Sequence, residues 1–219
     1  MKSPQERKAL SETKIKAQGI SVFEGLPFVP SAEEVTLKSF DEICKRAIAS
    51  LIMTQIACDL SENSYENVSF FLSMLENYGV SASLNKKEKD MLTGMVFGQN
   101  VIDVMWEYEC YWSLVWALGL IDDIQDASQI CDCEKAVHLV ADCESYESFK
   151  NQCNPRDVEE VLDMLDLYYR YHWACVQNRH IDKNCSIGNL NEEVVYERRR
   201  GLEWLISKEN DWHEIALHT

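Results

Sequence analysis

Apolar residues recur at helical spacing through most of this 219-residue chain. The clearest series is Val158, Val161, Leu162, Leu165 and Tyr169, which places its side chains on one face of an α-helix. No stretch shows the sustained alternation of apolar and polar residues that indicates a β-strand. The chain has only eight glycines and four prolines, so it lacks the turn residues that an all-β protein uses. The pattern predicts an all-α protein with little or no sheet.

Helix-start signals divide the chain into segments. Several pairs have the spacing of a capping box, in which a short polar side chain and a carboxylate three residues later bond each other's backbone. These pairs are Ser3 with Glu6, Ser39 with Glu42, and Asn85 with Glu88. Together with the periodicity, they predict about eight helices. One of these, at about residues 101–118, is apolar on all sides, which is typical of a buried helix. We therefore expect a helical bundle around that central helix.

The chain shows one change of character, near residue 38. Residues 1–38 are predicted to form a helix followed by an extended loop, and residues 39–219 to form a helical domain. No Pro-, Gly- or Ser-rich linker separates the two parts. We therefore expect one compact unit, with residues 1–38 packed on the rest.

The chain is strongly acidic, with 21 Lys+Arg against 37 Asp+Glu and a net charge of −16. Such a charge excludes general electrostatic binding to nucleic acid or to an anionic membrane. Residues 101–166 alone contain 16 acidic and three basic residues. The exposed part of this acidic face is predicted near its middle, and the candidate binding residues are Asp122, Asp123, Asp126, Asp132 and Glu134. A concentrated acidic face attracts a basic partner, although the same charge also serves solubility alone.

Location and cofactors are constrained mainly by missing signals. The first residues contain no apolar segment of the signal-peptide kind, and the most apolar run, residues 110–121, is too short to span a bilayer. The nine cysteines are an odd number, so we expect reduced thiols and a cytoplasmic protein. The sequence gives no indication of the oligomeric state.

The densest group of metal-ligand residue types is Cys131-x-Cys133 with His138 and Cys143. Structural zinc sites usually need a second cysteine or histidine pair at a regular spacing, which is missing here. Glycine-rich phosphate loops and motifs of nucleophilic catalysis are missing as well. We therefore predict neither a metal nor a cofactor.

Three blocks carry a resemblance to a known family. They are Trp106-Glu107-Tyr108-Glu109 with residues 116–120, residues 160–170 with Trp173, and residues 194–198 with Trp204-Leu205 and Trp212. Together and in this order, they resemble the bacterial family called domain of unknown function 4272, over most of the chain after about residue 39. The resemblance implies a standalone cytosolic protein and brings no activity with it.

A second set of residues has the chemistry for acid–base work. Its members are titratable or cationic and lie on helices with apolar neighbours, and they are Glu109, Asp166, His172, Glu197 and Arg198. They form either a polar pocket or a buried ion-pair network, for instance with Glu109 or Asp166 against Arg198. Arg198-Arg199-Arg200 as a run is expected to be solvated charge.

Two functional hypotheses follow from these observations. The first is a non-enzymatic binding or inhibitor protein, whose acidic face (residues 101–166) engages a basic protein partner. The alternative is an enzyme whose acid–base pocket is formed by Glu109, Asp166, His172, Glu197 and Arg198.

Overall fold

The computed structural model describes residues 1–94 and 98–219, and this part of the chain is all-helical, with nine α-helices and no strand. The helices are α1 (Pro4–Ala17), α2 (Phe40–Ser61), α3 (Val68–Asn77), α4 (Lys86–Leu92), α5 (Gln99–Ala117), α6 (Cys133–Ala141), α7 (Tyr146–Gln152), α8 (Val158–His180) and α9 (Glu192–Ile206). Single 3-10 turns lie at Ser81–Ser83 and Trp212–Glu214. The all-α prediction is therefore confirmed.

The helices begin at the predicted capping boxes, and the structure has one helix that the sequence did not predict. The three capping boxes at Ser3, Ser39 and Asn85 are all formed. The helix beyond the expected eight is α7, which Ser145 caps and whose one buried residue is Phe149. Seven residues with one inward side chain are too few to show a helical period.

The central helix is α5, as expected, and it packs against α2 on one side and α9 on the other. Every residue from Cys110 to Leu118 is buried. The first half is different, because Ile102 is 43% exposed and Trp106 is only partly buried. The expectation that the helix is buried on all sides therefore holds only for its second half, where α2 and α9 enclose it.

The helices α9 and α5 approach each other closely at Gly201. A Cβ atom at this position would lie 2.8 Å from the carbonyl oxygen of Cys110, so only glycine fits without a shift of the backbone. The helix α8 packs on α9 and also on α1. Apolar residues from all nine helices, together with Ile20 and Val29 of the segment after α1, form one core. No helix in the described ranges is long and apolar enough to cross a membrane.

The end of α5 is fixed by the segment that precedes α8. Gly119 has a φ of +73°, and a Cβ atom there would lie 2.1 Å from the carbonyl oxygen of Asn154. The backbone N–H groups of Asn154 and Arg156 donate to the carbonyl oxygens of Leu118 and Ala117, each at 2.8 Å. The chain therefore leaves the centre of the bundle at a defined point and direction.

Candidate functional site

The segment between α5 and α6 carries the exposed carboxylates that the charge pattern singled out. We call residues 120–131 the acidic loop. Its three carboxylates, Asp122, Asp123 and Asp126, are exposed, and none of them forms an ion pair with a described residue. Asp123 accepts a hydrogen bond from the Gln125 N–H at 3.0 Å, and Asp126 accepts one from the Ser128 N–H at 2.9 Å. The Ser128 N–H bond lowers the pKa of Asp126 below its ordinary value.

Arg198 binds the backbone of the acidic loop from its buried side. Its side chain, which is 3% exposed, reaches from α9 to three backbone carbonyl groups of the loop. Nη1 donates to the carbonyl oxygens of Ile124 at 3.1 Å and Asp126 at 2.6 Å, and Nη2 donates to that of Gln129 at 3.3 Å. A guanidinium group has five N–H donors in a rigid plane, which suits it to join several carbonyl groups at once.

Glu109 of α5 balances the charge of Arg198 and anchors the end of the loop. Arg198 Nε donates to Glu109 Oε2 at 2.7 Å, and the other carboxylate oxygen accepts the Cys131 N–H at 2.6 Å. Both oxygens of this buried carboxylate are therefore satisfied. Such bonding offsets the desolvation cost of an internal ion pair.

A second arginine, Arg156, binds the backbone at the start of the loop. Arg156 Nε donates to the carbonyl oxygen of Trp116 at 3.0 Å, and its Nη2 donates to those of Ile121 at 3.1 Å and Asp122 at 2.9 Å. The Tyr168 hydroxyl also donates to the Ile124 carbonyl oxygen. Neither Arg156 nor Tyr168 could be identified as an anchor from the sequence, because a backbone carbonyl acceptor leaves no signal there.

The remaining acid–base candidates lie in separate pairs. Asp166 pairs with Arg170, one turn away on α8, at 2.7 Å, and not with Arg198. His172 contacts Arg199 Nη1 through its Nδ1 at 2.6 Å. Burial and the charge of Arg199 lower the pKa of His172 to about 3, so that its ring is neutral near neutral pH.

Glu197 is the last of the five acid–base candidates, and its Oε2 lies 2.7 Å from Arg200 Nη1. The Cys110 thiol donates to Glu197 Oε2 at 3.2 Å, and burial raises the pKa of Glu197. Of the five candidates, the structure brings Glu109 and Arg198 into contact and places the other three in pairs of their own.

The expectation that Arg198-Arg199-Arg200 is solvated charge is wrong. The side chains are 3%, 3% and 11% exposed, respectively. Because α9 lies between α5 and α8, most of its circumference is covered. Each arginine is matched to its own carboxylate: Glu109, Glu203 and Glu197.

The two other candidate binding residues begin α6. Asp132 is the N-cap and accepts the Lys135 N–H at 3.0 Å, and Glu134 lies in the first turn. Both are exposed, which extends the acidic surface beyond the loop. Cys131 is buried and Cys133 is exposed. Residues 1–94 and 98–219 contain no group of three or more His, Cys, Asp or Glu side chains placed to hold a metal ion.

A further charged cluster joins α2, α4 and α5 under the C-terminal segment. Arg46 Nη1 donates to Glu88 Oε2 at 2.8 Å, and Arg46 Nη2 lies 3.7 Å from Glu107 Oε2. His213 Nε2 lies 2.7 Å from Glu107 Oε1. Two buried carboxylates therefore share one guanidinium group. Burial raises the pKa of each to about 7, although the charge of Arg46 opposes the change.

Comparison with known proteins identifies the family and no individual relative. The model of the family described as Domain of unknown function (DUF4272) matches residues 7–215. No match was found among the curated proteins or among the solved structures.

Proposed function

Because the chain belongs to the DUF4272 family, which brings no activity with it, we propose a function from the geometry: a non-enzymatic binding protein whose acidic face (residues 101–166) engages a basic protein partner. The observation that carries this proposal is the acidic loop. Asp122, Asp123 and Asp126 are exposed and have no cationic partner in the described ranges, while the backbone beneath them is held by Arg156 and Arg198.

The burial of other acidic residues narrows the binding surface. Glu107, Glu109 and Asp166 also lie within residues 101–166, but they are at most 1% exposed and pair with internal cations. They add nothing to the surface that a partner meets. Of the exposed carboxylates that remain, five lie on the acidic loop and the first turn of α6, and five more lie within residues 142–160.

A fixed acidic loop favours binding in two ways. Exposed like charges attract an oppositely charged protein over a distance and raise the rate of encounter. A backbone that is already held also loses little conformational freedom on binding, so that less of the interaction energy is spent on ordering. A cytoplasmic location is part of the proposal, and it is supported by the odd number of cysteines.

The enzyme alternative has weaker support. An acid–base mechanism needs its groups to converge on one reacting centre. Here Glu109 and Arg198 are committed to each other and to the acidic loop, whereas Asp166 and Glu197 are paired elsewhere. We therefore place the binding hypothesis first.

The proposal is tested by neutralising the acidic loop. The triple variant Asp122→Asn, Asp123→Asn, Asp126→Asn removes three charges and keeps the side-chain oxygens that accept the turn hydrogen bonds. The probe is a fluorescently labelled peptide of alternating arginine and glycine, and its affinity is measured at low and moderate salt. We expect the variant to bind about tenfold more weakly at low salt, because each exposed charge contributes roughly 0.5 kcal/mol.

The matched control is Glu62→Gln, Glu66→Gln, Glu76→Gln, which removes three exposed charges near α3. Both triple variants have the same net charge. If the two lose affinity equally, the peptide responds to net charge alone and the proposal fails. It fails also if the acidic-loop variant binds as well as the unmodified protein.

A further inference from the structure

Two cavities adjoin each other between α1 and the acidic loop. The first has a volume of about 290 Å³ and the second of about 480 Å³. They share Lys14 on the side of α1 and Asp123 and Gln125 on the side of the loop. We call the two together the α1 groove. The acidic loop is thus one wall of a concave site as well as a charged surface.

The first cavity combines an apolar floor with a charged rim. Buried side chains of Trp116, Met164 and Leu167 line it, and Leu10, which is 59% exposed, stands at its edge. Asp122 and Asp123 belong to the same lining. A lysine or arginine side chain has an apolar stem and a cationic end, so it complements this arrangement.

The cations of the groove are mostly committed to internal partners. Arg7, which lines the first cavity, lies 2.6 Å from Glu159 and 3.0 Å from Asp163. Arg156 is held by backbone carbonyl groups and by Glu160 at 2.9 Å.

Lys14 remains, as the one cation of this lining that forms no ion pair within the described ranges. Three unpaired carboxylates, Asp122, Asp123 and Asp126, line the groove against it. The free charge of the groove is therefore negative.

We propose that the α1 groove holds an extended basic segment of the protein partner, with one lysine or arginine side chain in the first cavity and the following part of the segment along the second. This inference rests on the proposed function and deepens it. The floor of the first cavity accepts the aliphatic stem, the rim accepts the charge, and Asp126 extends the acidic wall along the second cavity.

The sharpest test blocks the groove without touching an acidic residue. Leu10→Arg introduces a long cationic side chain at the edge of the first cavity. Thr13→Arg is the matched control, because Thr13 is exposed on the same helix and does not line either cavity. Both variants change the net charge by the same amount. With the arginine–glycine peptide as probe, we expect Leu10→Arg to weaken binding about tenfold and Thr13→Arg at most about twofold.

A second pair of variants tests the groove through a gain of affinity. Lys14→Gln removes the unpaired cation of the groove, so we expect it to strengthen peptide binding about threefold. Lys89→Gln, on the exposed side of α4, removes the same charge far from the groove and is the control. Equal effects of the two lysine variants would overturn the groove proposal, as would a loss of affinity on Lys14→Gln.

The outcomes separate this proposal from the function on which it rests. If the acidic-loop triple variant loses affinity while Leu10→Arg and Thr13→Arg behave alike, the acidic face binds but the α1 groove is not the site. If the triple variant binds normally, the proposed function itself fails. Binding of free arginine amide as tight as that of the peptide would also overturn the groove proposal, because the site would then take a small cation.

Discussion

Arg198 Nε on α9 lies 2.7 Å from Glu109 Oε2 on α5, and each of the two residues also bonds the backbone of the acidic loop. An internal ion pair alone is weak evidence for stability, because both charges are taken out of water. This pair differs because its other polar atoms also form hydrogen bonds. Arg198 Nη1 and Nη2 donate to carbonyl oxygens of the acidic loop, and Glu109 Oε1 accepts the N–H of Cys131. The two residues therefore link the core of the bundle to the surface that we propose as the binding site.

A double-mutant cycle measures this link. Glu109→Gln leaves a buried guanidinium group without its counter-charge, and Arg198→Met leaves a buried carboxylate unpaired. We expect each to lower the free energy of unfolding by about 3–5 kcal/mol. The double variant should lose less than the sum, with a coupling of roughly 2 kcal/mol or more in urea unfolding.

The exposed pair of Lys86 and Asp90 is the control for this cycle. Its side chains are 81% and 30% exposed, and it joins residues one turn apart on α4. Because water screens such a pair, its coupling should stay below about 1 kcal/mol. A similar coupling in both cycles would mean that the buried pair has no special role.

Gly119 supports the loop through its backbone conformation. Gly119→Ala introduces a Cβ at positive φ and against the Asn154 carbonyl oxygen, at the point where the acidic loop leaves α5. Gly19 has nearly the same φ, +72°, but no atom within 4 Å of its Cβ position. We expect Gly19→Ala to cost about 1–2 kcal/mol of unfolding free energy, and Gly119→Ala to cost at least about 2 kcal/mol more. Equal losses would show that the contact with Asn154 has no energetic consequence.

The cluster of Arg46, Glu88 and Glu107 predicts a pH dependence of stability. The pKa of Glu107 is about 7 in the folded protein, against an ordinary value of 4.5. The folded state therefore holds this proton more tightly than the unfolded state. The resulting stability is present below the unfolded pKa and is lost as the pH rises towards 7.

Glu107→Gln removes this titration and leaves one carboxylate, Glu88, facing Arg46. Relative to the unmodified protein, the variant should gain stability on the order of 2 kcal/mol between about pH 5 and about pH 8. Thermal unfolding at both pH values measures the change. Glu76→Gln, on an exposed face of α3, is the control. Its stability should differ from that of the unmodified protein by the same amount at both pH values. A constant difference for Glu107→Gln as well would contradict the raised pKa.

Much of the fold follows from local signals. Capping boxes at Ser3, Ser39 and Asn85 each begin a helix, because the interaction spans only four residues. The central position of α5 follows from its apolar composition. The short helix α7 escaped prediction because its single buried residue, Phe149, gives no period.

The site was less predictable, because its contacts depend on how distant helices align. The sequence offered either Glu109 or Asp166 as the partner of Arg198, and the packing of α9 on α5 selects Glu109. Asp166 is satisfied within its own helix by Arg170. The burial of Arg199 and Arg200 depends likewise on neighbours that composition does not identify.

Arg198 fixes the acidic loop in this structure, and hydrogen exchange of the backbone amides is the measurement that tests this role. Arg198→Lys keeps the positive charge beside Glu109 but removes the planar donors that reach the carbonyl groups of the loop. Arg200→Lys, two residues away and paired with Glu197, is the control.

The amides to follow are those of Ser128, Cys131 and Asn191, which donate to Asp126, to Glu109 and to the Ala127 carbonyl oxygen. We predict exchange at least about tenfold faster in Arg198→Lys and unchanged exchange in Arg200→Lys. Protection of these three amides in Arg198→Lys equal to that in the unmodified protein would show that Arg198 does not fix the loop.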